Sequence, residues 1–218
     1  MNTGKLLLGL LLLLQFGTSH AQNEKKIHLD YQILDTLETE YNTHRYKVTW
    51  LKDTFVLGVE EKNQKIFESY VANSNKQLSE KKLANIKETS EMFNSAQNCF
   101  SYAIEFYFKY DSIYSQNIFT SSSSLQGDGI ERLLNNSFKS IGEFTTKPRK
   151  SLKQSMPDHV LLAFINKFSN VSHLVYHNKG VFYSKNGMWK ATQELTLKEL
   201  VVDHYWDTQI IRMYRYVN

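Results

Sequence analysis

Asn98-Cys99-Phe100-Ser101-Tyr102-Ala103-Ile104-Glu105 decides how this chain is read, because it sets the only cysteine at the start of an apolar helix. From there Phe100, Ala103, Ile104, Tyr107 and Phe108 recur at the spacing of one helix face, and Phe106 and Tyr110 widen the stripe. A helix with that face is expected to be buried. Asn98 is a competent N-cap, and it leaves Cys99 among unpaired backbone N–H groups at the positive end of the helix dipole. The thiolate is the reactive form of cysteine, and helix N-termini and nearby cations lower a cysteine pKa from its free value of roughly 8.5. Cys99 is therefore a candidate nucleophile. The alternative is a packing residue, since free cysteine often fills a small apolar gap.

Working outward, a second stretch bears on that choice. Pro157-Asp158-His159-Val160-Leu161-Leu162-Ala163-Phe164 and Ser172-His173-Leu174-Val175-Tyr176-His177-Asn178-Lys179-Gly180-Val181-Phe182-Tyr183-Ser184 read as consecutive strands joined by a glycine-containing hairpin. A helix-opening cysteine followed by an apolar strand, a histidine and a Gly hairpin resembles the NlpC-type cysteine peptidases of the papain-like superfamily. Cys99 matches the nucleophile of that family, Asp158 to Phe164 the strand before the histidine, His173 the base, and Asn178 to Gly180 the hairpin turn. The resemblance covers roughly Asn94 to the C-terminus. Small residues commonly follow the family's cysteine, whereas Phe100 and Ser101 follow it here.

The resemblance implies a third polar residue on the strand after the hairpin, and register decides which one. Pairing outward from a tight turn at Lys179-Gly180 puts Asn186 opposite His173; a turn at Asn178-Lys179 puts Ser184 there. A three-residue turn with Gly180 at a bulge offers Lys185. Asn186 is the preferred candidate and Ser184 the runner-up. In this reading Cys99 attacks, His173 takes its proton, Asn186 holds the ring, and backbone N–H groups at the helix start, including that of Cys99, meet the oxyanion. The implied activity is hydrolysis of amide bonds, with peptides of peptidoglycan as the substrate class. No cofactor or metal is expected: His28, His44, His159, His177 and His204 stand apart, with no ligand spacing.

The N-terminal stretch supplies a compartment. Residues 1–21 carry one lysine, an apolar run from Leu6 to Leu14 and Ser19-His20-Ala21, which is the layout of a secretory signal peptide. The run is too short for a transmembrane span. An exported protein, periplasmic or extracellular, is expected, with a cell-envelope peptide or glycopeptide as substrate and a monomer as its state. A lone cysteine there forms no internal disulfide, so stability rests on the core and the thiol is left over. The net charge of +4 is too small to imply nucleic acid. A basic cluster at Lys147-Pro148-Arg149-Lys150 and Lys153 is expected to be a solvated loop.

The remaining chain divides into an N-terminal α+β region, residues 22–93, and a hydrolase-like domain, residues 94–218. Ile27, Leu29, Tyr31 and Ile33 alternate as in a strand, though Leu34 and Leu37 fit a helix equally. Tyr46 to Leu51 and Phe55 to Glu60 form a hairpin; a Lys52-Asp53 link would pair Trp50 with Phe55, Val48 with Leu57 and Tyr46 with Val59. Helices are expected around Ile66 to Val71 and Leu83 to Phe93, a polar loop over residues 120–129, and a short helix over Ile130 to Phe138. Thr196-Leu197-Lys198-Glu199 matches a capping box, with a helix through Val202 to follow. The β-prone run Ile210 to Val217 is expected to close the sheet that carries His173. The fold class is α+β and papain-like, a nucleophile helix on an antiparallel sheet. Two rival functions share it: a non-catalytic exported binding protein, and an acyltransferase or transglutaminase-like enzyme using the same Cys-His pair.

Overall fold

Hydrophobic alternation builds the first sheet. A computed structural model describes residues 27–39, 43–60, 97–111, 114–115, 123–147, 155–187 and 192–217. The signal-like segment, the helices expected around Ile66 and Leu83, and most of the basic cluster lie outside them. Strands β2 (Gln32–Thr36), β3 (Thr43–Trp50) and β4 (Asp53–Glu60) form an antiparallel meander. The short β1 (Ile27–His28) lies apart from it, beside a later segment. In the hairpin Trp50 pairs with Asp53, Val48 with Phe55 and Tyr46 with Leu57, so the turn is Leu51-Lys52 rather than Lys52-Asp53. Leu51 takes a left-handed conformation, φ 54°, and the Asp53 carboxylate accepts from the Thr54 amide at 2.7 Å. A register slip of two keeps side-chain parity, so Val48, Trp50, Phe55 and Leu57 still share the buried face.

Helix α1 (Cys99–Tyr110) lies on that face. The Asn98 side chain accepts from the Ser101 amide at 3.1 Å, as an N-cap should, and donates to the Leu125 carbonyl at 2.6 Å. The second bond ties the helix start to β6 (Ser123–Leu125), which adds to the sheet beside β4. After α1 comes β5 (Tyr114–Ser115), which pairs with β1 in parallel. Part of the expected polar loop is therefore ordered structure: Leu125 is fully buried, and helix α2 (Gly127–Ser137) begins two residues later.

The second sheet carries the rest. Its strands run in the order β11-β10-β9-β8-β12-β7, every neighbour antiparallel. They are β7 (Phe138–Thr145), β8 (Val160–Asn166), β9 (Val171–Asn178), β10 (Val181–Lys185), β11 (Thr192–Leu195) and β12 (Thr208–Tyr216). The C-terminal strand is internal, held between β7 and β8. Lys179 and Gly180 form the β9–β10 turn, both at positive φ (49° and 78°), the twist that tight hairpins favour. Thr196 and Glu199 close both halves of the capping box at the start of α3 (Leu197–Glu199). The chain continues as a π turn, Leu200–His204, and the Tyr205 N–H reaches back to the Leu200 carbonyl at 2.8 Å.

Two cores result. The first joins Val48, Trp50, Phe55 and Leu57 to Ala103, Ile104 and Phe108 of α1, Leu133 and Leu134 of α2, and Leu161, Leu174 and Tyr176 of the second sheet. The second packs Val160, Leu162, Phe164, Val175 and Ile211, on the opposite sheet face, against Leu197, Leu200 and Val201. Among the described residues the fold is thus α+β, with three helices, two antiparallel sheets and the short parallel pair β1–β5.

Candidate active site

Pairing between β9 and β10 stops at Tyr176 and Tyr183, while β9 itself extends back to Val171 and β10 runs on to Lys185 beside β11. Among the described residues the N-terminal half of β9 therefore has no paired strand on that side. Cys99 stands at this opening. Its sulfur is met by the backbone N–H of Leu174 and by the first N–H groups of α1, those of Cys99 and Phe100. These donors favour the thiolate, but burial outweighs them and pushes the thiol up to about 11. The helix start alone suggests a thiol activated by the dipole; in the folded chain desolvation is the larger effect.

His173 comes from the same stretch of β9 and is completely buried. The Glu131 carboxylate of α2 accepts from the Val171 amide at 2.9 Å and fixes the beginning of the strand. The imidazole lies on the face of the second core, edge-on to Phe164 and stacked on the Tyr205 ring at 3.8 Å and 16°. Its Nε2 is 2.9 Å from Ser184 Oγ. Ser184 donates to Asn186 Oδ1 at 2.7 Å, Tyr205 donates to the same oxygen at 2.9 Å, and Asn186 Nδ2 donates to Gln193 Oε1 at 2.7 Å.

The direction of these bonds assigns the ring proton. Ser184 has one hydroxyl hydrogen and gives it to Asn186, so toward His173 it can only accept. Nε2 therefore carries the N–H, and Nδ1 presents a bare lone pair. That nitrogen is buried and, among the described residues, has no hydrogen-bond partner, the kind of orphan a folded protein rarely keeps without use. Burial, with His204 adding like-charge repulsion, lowers the imidazole pKa to about 3. At neutral pH both the Cys99 thiol and the His173 imidazole are thus neutral.

Cys99 and His173 are linked through β9, which carries the imidazole at one residue and the amide that meets the sulfur at the next. The Leu174 N–H directed at the sulfur belongs to the residue after His173, and burial, with Cys99 as a lesser cause, raises the pKa of Tyr205, the ring stacked on the imidazole. No hydrogen bond links the thiol to the ring. Ser184 touches the imidazole directly, and Asn186 acts one bond further away. Tyr205 and Gln193 join the site from distant segments, with no spacing in the sequence to announce them. Among the described residues no group of His, Cys, Asp and Glu side chains is arranged to hold a metal ion, and no helix is long and apolar enough to cross a membrane. No family model matches this chain, and neither a curated protein nor a solved structure matches it.

Proposed function

We propose that this chain is an exported thiol hydrolase of papain-like architecture that cleaves amide bonds in cell-envelope peptides. The observation that carries the reading is His173: a fully buried imidazole whose Nε2 is tied to Ser184 while Nδ1 has no hydrogen-bond partner among the described residues, on the strand whose next residue, Leu174, turns its N–H to the Cys99 sulfur. As the sulfur attacks the substrate carbonyl, Nδ1 takes the thiol proton. Positive charge then develops on the ring, and the chain from Nε2–H through Ser184 to Asn186 stabilises it. The N–H groups at the start of α1 are available to the oxyanion. Because thiol and imidazole both rest neutral, proton transfer accompanies attack rather than preceding it, as it does when a serine hydroxyl is the nucleophile. Export rests on residues 1–21, which lie outside the described residues, and the substrate class rests on the resemblance to NlpC-type peptidases.

The thiol of half-buried Cys99, whose desolvation holds its proton well into the alkaline range, favours a second reading: a binding protein that keeps the fold without the chemistry. One experiment separates them. Purified wild type and Cys99→Ala are incubated with peptidoglycan fragments and the products followed by mass spectrometry. New cleavage products with wild type alone support the hydrolase; identical product spectra from the two proteins refute it. Products of acyl transfer to an added amine would reassign the same pair to a transferase.

A further inference from the structure

We propose that Tyr205 is a positioning residue that selects the tautomer of His173, through the orientation of the Asn186 amide. The inference rests on the reading of His173 as the base.

The Asn186 side chain can sit either way round. With Oδ1 toward Ser184 and Tyr205, both hydroxyls donate to it, and Ser184 accepts from Nε2–H. With the amide turned, its NH2 would donate to Ser184, the serine hydroxyl would donate to Nε2, and the ring proton would move to Nδ1. The base would then face the thiol already protonated. Gln193, at the other end of the amide, cannot choose between the two arrangements: it is exposed, and its own side chain offers oxygen or NH2 equally well. Tyr205 can choose. Its hydroxyl donates to Asn186 Oδ1, and a phenol is a better donor than acceptor, because its lone pairs are shared with the ring. Donation requires Oδ1 on the Tyr205 side.

The same residue holds the ring in place from above, at 3.8 Å. Both contacts follow from the π turn: its extra residue ends the helix at Tyr205, whose N–H closes on Leu200. Stack and hydroxyl are separable by substitution. Tyr205→Phe keeps the ring and removes the donor, so it tests the orientation alone.

The measurement is the tautomer of His173 in protein labelled with 15N in its histidines, its ring signals assigned by their loss in His173→Gln. In wild type at pH 7 the Nε2–H form is expected to dominate. In Tyr205→Phe the ratio of the two tautomers should shift toward Nδ1–H by about fivefold to tenfold, the usual worth of one hydrogen bond. A wild-type ring found as Nδ1–H overturns the proposal, and so does a Tyr205→Phe ratio equal to that of wild type. The first of these outcomes needs no variant, so poor folding of Tyr205→Phe does not shelter the proposal. Hydrolysis is read separately: if wild type and Cys99→Ala cleave nothing while the tautomer shifts as stated, the enzymatic reading fails and the role of Tyr205 stands. If both hold, Tyr205→Phe should lower kcat and leave KM unchanged, since it alters the base and not the substrate contacts.

Discussion

His173 should make this protein sensitive to mild acid, by an amount the structure fixes. Its pKa is 6.5 when unconstrained and about 3 when folded. Between those values the unfolded chain binds a proton that the folded chain refuses, so the neutral buried ring contributes its full stability above pH 6.5 and loses it as pH falls toward 3. Each pH unit in that window costs about 1.4 kcal/mol, so from pH 7.5 to pH 4.5 the loss from this residue is roughly 3 kcal/mol. Other groups titrate over the same range, so the comparison is with His173→Gln, whose side chain keeps an N–H for Ser184 but does not titrate. Urea unfolding of both proteins at half-unit pH steps gives the difference in stability directly. That difference should be flat above neutrality and then fall by about 1.4 kcal/mol per unit on acidification. Parallel curves down to pH 4.5 would mean that the ring already exchanges protons in the folded state, and that its burial and its bare Nδ1 are misread.

The thiol offers a complementary test: with the proton held to about 11, the rate of iodoacetamide labelling of Cys99 should still be climbing at pH 10, and a plateau near the free-cysteine value of roughly 8.5 would contradict its burial. Ser184→Ala removes the acceptor of a buried N–H and one donor to Asn186; it should lower stability by about 1–3 kcal/mol in denaturant titration, and a change inside experimental error would show that the chain of bonds is not formed. Phe108 meets Trp50, Tyr114 and Tyr216 edge-on at 5.1 to 5.5 Å, so Phe108→Ala should cost about 3–5 kcal/mol by the same measurement, and a loss below 1 kcal/mol would refute its place at the centre of the first core.

What could be read from the sequence was whatever is decided locally. The start of α1 follows from Asn98 and the apolar spacing after it, the start of α3 from Thr196 and Glu199, and the β9–β10 turn from Lys179-Gly180. Strand β7 escapes the same treatment because Phe138, Ile141 and Phe144 repeat at three, not two. The reason is a bulge: Met213 pairs with Gly142 and Tyr214 with Ser140, leaving Ile141 as an extra residue that breaks the alternation. The third residue of the site shows the limit most clearly. The turn that places Asn186 level with His173 is the one observed, yet the ring bonds to Ser184, because β9 and β10 part before the two positions can pair and the contact runs diagonally across the opening. Tyr205 reaches the imidazole only through a π turn and a packed core, neither of which leaves a periodic signal.

The proposed nucleophile and base are divided between two interiors. Cys99 rides on α1, which belongs to the core shared with the N-terminal hairpin, while the imidazole is gripped by Phe164 and Tyr205 within the core beneath the π turn. Thiol and ring therefore have independent foundations, and their alignment is a property of the strand between them rather than of either side chain's rotamer. A packing change in one interior tilts one partner and leaves the other where it was. Variation could loosen the grip on the sulfur while the base kept its full set of bonds, so such a chain could lose its reactivity by small steps on one side and still retain, on the other, every mark of having had it.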